Sequence, residues 1–144
     1  MSVEKIQHLA SRMRQALDSY PKKLLPIGLA SFPSGACGDT SLLLGAYLSE
    51  NGIPDVQYVA GERGTHLDES WSSHAWLKQG SLIIDITSDQ FADAPRGIII
   101  SSSSVWHQSF RVIDVHEASF DALHGPGVDE IRAFYPNLRS LLAK

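Results

Sequence analysis

The chain has 144 residues, enough for one domain with an apolar core and no covalent staples. Its 12 Lys and Arg against 16 Asp and Glu give a net charge of −4, and no basic run exceeds Lys22-Lys23, which argues against a nucleic-acid surface. No apolar run reaches the roughly 18 residues of a membrane span, and the lone cysteine, Cys37, excludes an internal disulfide. A single free thiol suits a reducing compartment, so a cytoplasmic protein is expected, with delivery by another secretion route left open. The run "LLPIGLA" after Lys22-Lys23 is short, interrupted by Pro26 and preceded by a helix, so it makes a poor secretion signal.

Val3, Ile6, Leu9, Met13 and Leu17 recur at helical spacing, which predicts a first helix capped by Ser2 and ended before Pro21. Residues 20–36 carry Pro21, Pro26, Gly28, Pro33 and Gly35 and read as irregular chain leading to Cys37. "GDTSLLLGAYLSENG" predicts a second, mostly apolar and buried helix stopped by Gly52 and Pro54. "VQYVAGER" reads as a strand, and residues 63–72 as a polar loop with Gly64, His66, Asp68 and Glu69. A hairpin over 73–87 follows, then strands at "RGIIIS" and "FRVIDVH". The C-terminal "VDEIRAFYPNLRSLLA" places Ile131, Phe134, Leu138 and Leu141 at helical spacing, with a kink expected at Pro136. No repeat, linker or low-complexity tract interrupts residues 1–144 beyond the serines at 101–104. Two helices, a run of strands and a last helix imply one α+β domain, its helices packed on an antiparallel sheet.

In the hairpin "SHAWLKQGSLIIDIT", Gln79-Gly80 reads as a two-residue turn, which sets His74 directly across from Asp85. Alternation then puts Ala75, Leu77, Leu82, Ile84 and Ile86 on one face, and His74, Trp76, Lys78, Ser81, Ile83, Asp85 and Thr87 on the other. The first face is wholly apolar, which supports an even-length loop. By itself, an imidazole facing a carboxylate is a cross-strand ion pair of about 0.2–1 kcal/mol, and a lone cysteine is often merely buried. The combination says more. Cys37 follows the turn-forming "FPSGA" and opens a helix, whose positive end lowers a thiol's pKa. A free thiol of pKa ~8.5 is only a few per cent thiolate at pH 7, so a nucleophile needs such help. An imidazole supplies more of it, and a carboxylate fixes that imidazole's tautomer. Cys37, His74 and Asp85 thus have the types and order of a Cys-His-Asp triad, although spacing alone does not bring Cys37 to the hairpin.

The run "GACGDTSLLLGAYLSENGIPDVQYVAGER", with "SHAW" and "IIDIT" after it, resembles the core of the transglutaminase-like superfamily of papain-like cysteine enzymes. The resemblance covers residues 33–91. It implies a papain-like core in which Cys37 is nucleophile, His74 general base and then acid, and Asp85 the orienting carboxylate. "DITSDQF" is similar, more loosely, to small bacterial proteins and papain-like toxin domains. The sequence departs from the family in one respect. Papain-like proteases keep an oxyanion-hole Gln shortly before the nucleophile, whereas the position six before is Ser31, and no Gln lies between Gln15 and Gln57. Tyr20 and Phe32 are the nearby aromatic alternatives. The Cys37 backbone N–H is the one donor named, and a missing second donor costs ~10²–10³ in rate. The calcium sites of the large animal transglutaminases have no counterpart here.

Gln90, five residues past Asp85, either hydrogen-bonds into the site or caps the turn after the strand. Trp76 shares the polar face and can shield the His74–Asp85 pair, wall a groove or pack in the core. His66, Asp68 and Glu69 lack zinc-ligand spacing with Cys37 or His74, so a solvated loop and no metal or cofactor are expected. Asp39 reads as a first-turn helix charge and Asp89 as a turn residue, while His107, His116 and His124 show no partner and are assigned to surface or core. The expected activity is a thiol hydrolase or acyltransferase (deamidase, peptidase or transferase) attacking a Gln side chain or peptide bond of a protein or peptide substrate. The alternative is a catalytically silent papain-like binding module for a protein partner. Oligomeric state is left open.

Overall fold

The computed structural model describes residues 3–122 and 125–143; Ser2 and His124 therefore lie outside the described residues. Helix α1 (Val3–Ser19) turns Ile6, Leu9, Ala10, Met13 and Leu17 inward at the predicted spacing. Irregular chain with two short 3-10 turns leads to α2 (Cys37–Glu50), which starts at the cysteine and buries residues around most of its circumference, from Thr40 to Leu48. Strands β1 (Val56–Arg63), β2 (Ser72–Gln79), β3 (Leu82–Asp85), β4 (Ile99–Ser101) and β5 (Arg111–Glu117) follow, then α3 (Pro126–Leu142). Helix α3 opens at Pro126, where a fixed φ and a missing N–H suit the first turn. It continues through Pro136 as a single helix.

The fold is α+β, with one antiparallel sheet in the order β4-β3-β2-β1-β5. The main core joins the three helices to the sheet face carrying Leu77, Ile84 and Ile86. On the opposite face Val59, Trp76 and Phe110 form a second apolar cluster, flanked by Ile83, Phe91 and Trp106. Among the described residues no helix is long and apolar enough to cross a membrane.

The hairpin register corrects the sequence expectation. Leu77 pairs with Ile84, Lys78 with Ile83 and Gln79 with Leu82, so the loop is Gly80-Ser81 and the pairing is displaced by two residues. Gly80 has φ 59°. A type II′ hairpin turn needs positive φ at its first central position, which glycine adopts without strain. Because the displacement is even, the faces are unchanged: Ala75, Leu77, Ile84 and Ile86 are all buried as the alternation requires. Continued outward, this register sets Asp85 across from Trp76 and diagonal to His74, rather than directly opposite it.

Candidate active site

Ala36, which precedes α2, carries no side-chain oxygen, so the first N–H groups of the helix meet no capping side chain. The positive end of α2 is thereby left open beside the sulfur. Cys37 is half-buried, neither free on the surface nor sealed in the core. Its thiol interacts with the His74 imidazole and with the Ala75 backbone N–H. Burial pushes the thiol pKa up, but hydrogen bonding to His74, the imidazolium charge and the Ala75 N–H together outweigh it and lower the pKa.

His74 lies near the middle of β2, and its Nε2 is 2.7 Å from Asp85 Oδ2 at the end of β3. With Nε2 committed to the carboxylate, Nδ1 is the nitrogen that remains for the thiol. Burial alone would lower the imidazole pKa. Hydrogen bonds and charge from Asp85 and Cys37 overcome that and raise it to about 9. A carboxylate this deep, with Asp85 only 2% exposed, is tolerable only when its lone pairs are taken. They are: Oδ1 accepts the Thr87 backbone N–H at 2.9 Å, and Oδ2 accepts from both His74 Nε2 and His107 Nε2, each at 2.7 Å. Burial pushes the Asp85 pKa up, and the bonds from His107 and His74 bring it down below the ordinary value.

His107 is the residue that sequence reasoning missed. Expected as a surface or core residue without a partner, it sits in a 3-10 turn, Trp106–Ser109, with its ring buried against Asp85. Its Nδ1 lies 2.5 Å from Ser104 Oγ. No spacing motif links His107 to the hairpin, and only its flanking aromatic residues, Trp106 and Phe110, hint at a buried setting.

Gln90 holds the turn after β3 and stands beside the imidazole. Its Oε1 accepts the Gly35 N–H at 3.3 Å, tying the pre-cysteine loop to the site, while Nε2 donates to the Thr87 carbonyl at 3.0 Å and stands 3.4 Å from His74 Nδ1. Trp76 is buried beside the imidazole and also borders a cavity of about 290 Å³ together with Lys78, Ile83 and His107. Its ring centroid is 5.6 Å from that of His74, and Phe91, Trp106 and Phe110 complete an aromatic wall around the imidazole. Arg63 lies over Phe110 at 4.5 Å and forks onto Asp93 at 2.8 Å, pinning the chain after β3 against this wall.

The remaining candidates lie elsewhere. Tyr20 packs edge-on against Phe134, and Phe32 is buried beneath Arg14, so neither aromatic upstream of the cysteine reaches the imidazole. His66 stacks on Trp71, and Asp68 accepts from Thr65 and Ser70 within the exposed loop. Asp39 is a first-turn charge of α2, its pKa raised by burial and by Glu130. Asp89 sits in a turn, as expected, and also holds Arg14 through two bonds of 2.8 Å. His116 stacks on Tyr58.

His74, Asp85 and His107 offer ligand atoms within 4.8 Å of one another, and two imidazoles with a carboxylate are donors that suit transition metals. Both Nε2 atoms also stand 2.7 Å from the same carboxylate oxygen, the distance of a hydrogen bond. A cavity of about 590 Å³ lies toward the other end of α2 between Ser49, Ile53 and Gln57, away from all these groups. Comparison with protein-family models, with curated proteins and with solved structures finds no match to this chain.

Proposed function

We propose that the protein is a cysteine-dependent amidohydrolase or acyltransferase of the transglutaminase-like type, acting on a Gln side chain or a peptide bond. The observation that carries this reading is the sulfur at the open start of α2, paired with a buried imidazole that Asp85 holds at 2.7 Å. The Cys37 thiolate attacks the carboxamide carbon, and the oxygen's developing charge faces the Cys37 N–H at the helix start. Gln90 is the side-chain amide nearest the imidazole and the candidate second donor. The imidazolium gives its proton to the leaving nitrogen as the C–N bond breaks, which releases ammonia or an amine and leaves a thioester on Cys37. Neutral His74 then takes a proton from water, or from an acceptor amine, as that nucleophile attacks the thioester. Hydrolysis is the simpler outcome. A reducing, cytoplasmic setting keeps Cys37 a free thiol.

One observation favours the silent binding module: the Gln90 amide already donates to the Thr87 carbonyl, which competes with oxyanion binding. The rate of Cys37 alkylation by iodoacetamide against pH separates the two readings. An activated thiolate reacts well below pH ~8 and slows in His74→Ala. A thiol that titrates normally in both proteins favours the binding module. Competition between lysate components and an amide-directed electrophilic probe for Cys37 then isolates the substrate.

A further inference from the structure

Asp85 Oδ2 serves two imidazoles, and the proposed chemistry uses only one of them. We propose that His107 is a positioning residue of the thiol site: with Ser104 bonded to Nδ1 it presents Nε2–H to Asp85, keeps that carboxylate ionised and aims Oδ2 at His74. This deepens, and rests on, the cysteine-enzyme reading above.

The titratable groups that act on Asp85 are His74 from β2 and His107 from the Trp106–Ser109 turn, and the Cys37 thiol of α2 also feels the carboxylate's charge. An ionised carboxylate only accepts, so His107 Nε2, 2.7 Å from Oδ2, carries the ring proton it offers there. Ser104 Oγ already accepts the His107 backbone N–H, which leaves its own hydrogen for Nδ1 across the 2.5 Å contact. Geometry holds the ring in that orientation. Its centroid is 4.9 Å from both the Trp76 and the Trp106 rings, each in edge contact, and its own backbone N–H points back to Ser104 Oγ. Ser104, three residues before His107, accepts that residue's backbone N–H at 3.4 Å and faces its ring at 2.5 Å, so it is a support rather than a second nucleophile. Without His107, Asp85 loses one of three donors and takes up a proton at higher pH, and once protonated it no longer holds the imidazolium.

The test is the acid limb of the Cys37 alkylation profile, which needs no substrate. In His107→Phe the limb should move to higher pH, slowing alkylation roughly tenfold on that limb, the scale of one hydrogen bond to a charged group. His107→Gln, whose amide N–H can reach Asp85, should recover most of the loss, and Ser104→Ala should show a smaller change in the same direction. A His107→Phe profile overlying that of the wild type, or a folded His107→Gln protein as impaired as His107→Phe, overturns the inference. Should His107→Phe fail to fold, the ¹⁵N spectrum of the wild-type histidines decides: a proton on Nε2 and none on Nδ1 of His107 supports the assignment, and a proton on Nδ1 refutes it. Failure of the cysteine-enzyme reading looks different, with an ordinary thiol titration unaffected by His74→Ala.

Discussion

Replacing Asp85 with asparagine removes one charge from the centre of the site and nearly nothing from its volume. The carboxylate accepts three N–H bonds, two on Oδ2 and one on Oδ1. An Asn carbonyl oxygen can keep both imidazole donors, but its NH₂ then faces the Thr87 N–H; turned the other way, it keeps Thr87 and abandons both rings. At least one buried donor goes unpaired, which costs about 1–3 kcal/mol, and at this chain length the melting temperature should fall by roughly 3–10 °C. The charge effect is separate. Raising the imidazole from 6.5 to about 9 corresponds to roughly 3 kcal/mol of preference for imidazolium, supplied by Asp85 and Cys37 against burial. Losing the Asp85 charge should move Cys37 alkylation toward alkaline pH by on the order of one unit. Stability should change in step. A carboxyl whose pKa is lowered by folding stabilises the native state above its unfolded value of 3.8 and loses that contribution as pH falls, so Asp85→Asn should flatten the acid side of the stability curve. Thermal denaturation at several pH values and timed iodoacetamide labelling measure both effects. An Asn variant with wild-type melting temperature and an unmoved labelling profile would refute the account of Asp85 as the anchor of the site.

Cys37→Ala should abolish labelling and turnover while preserving the fold, and it should also change how stability depends on pH. The His74 imidazole, raised to about 9, gives its full stabilisation below about 6.5 and loses it as pH rises through about 9. The lowered thiol works in the opposite sense, gaining stability with pH toward its unfolded value of 9.0. In the wild type the two oppose each other; in Cys37→Ala the thiol's rise is gone and the imidazole is raised by Asp85 alone, so urea midpoints of the variant should fall just above pH 6.5 more steeply than those of the wild type. Equal slopes would contradict the pairing. Gly80→Ala places a Cβ that meets nothing within 4 Å, so its expected penalty of about 1 kcal/mol comes from positive φ alone; a neutral result in denaturant titration would argue against the Gly80-Ser81 loop. Gly45→Ala should destabilise despite a helix-propensity gain of about 1 kcal/mol, because its Cβ would stand 2.8 Å from the Ala118 carbonyl oxygen and 2.9 Å from its Cβ. A more stable Gly45→Ala protein would mean that the chain after β5 yields easily.

Side-chain periodicity made much of this molecule legible. The apolar spacing of α1, the punctuation after α2 and the alternation along the hairpin each report which way a side chain faces: Leu77, Ile84 and Ile86 join the helix-side core, while Trp76 joins the cluster on the opposite face. Periodicity does not report pairing. The two-residue displacement of the hairpin leaves every face intact, so no pattern of apolar residues could detect it; only the demand of a positive-φ turn position for glycine points to Gly80 as the first loop residue. The strand expected at "RGIIIS" pairs over only Ile99–Ser101. The placement of β5 beside β1 is invisible for a related reason, since an edge partner is chosen by tertiary packing across the long stretch of chain between Arg63 and Arg111. His107 reaches the site through that same long-range geometry, from a turn with no periodicity at all.

The active-site candidate is itself a product of pairing. Strand β2 is matched to β1 along its whole length, from Ser72 to Gln79, but its pairing with β3 reaches only from Gln79 to Leu77. Strand β3 continues to Asp85 against β4, so the two strands part just where His74, Ala75 and Asp85 lie. In an unbroken ladder the backbone groups at that edge of β2 would be satisfied by the neighbouring strand. Here the Ala75 N–H turns to the sulfur of Cys37 instead, and the side chains of His74 and Asp85 close diagonally across the gap. The end of the β2–β3 pairing at Leu77 therefore leaves the Ala75 N–H as a donor that favours the thiolate. A hairpin extended by two more pairs would gain ladder hydrogen bonds and lose the site.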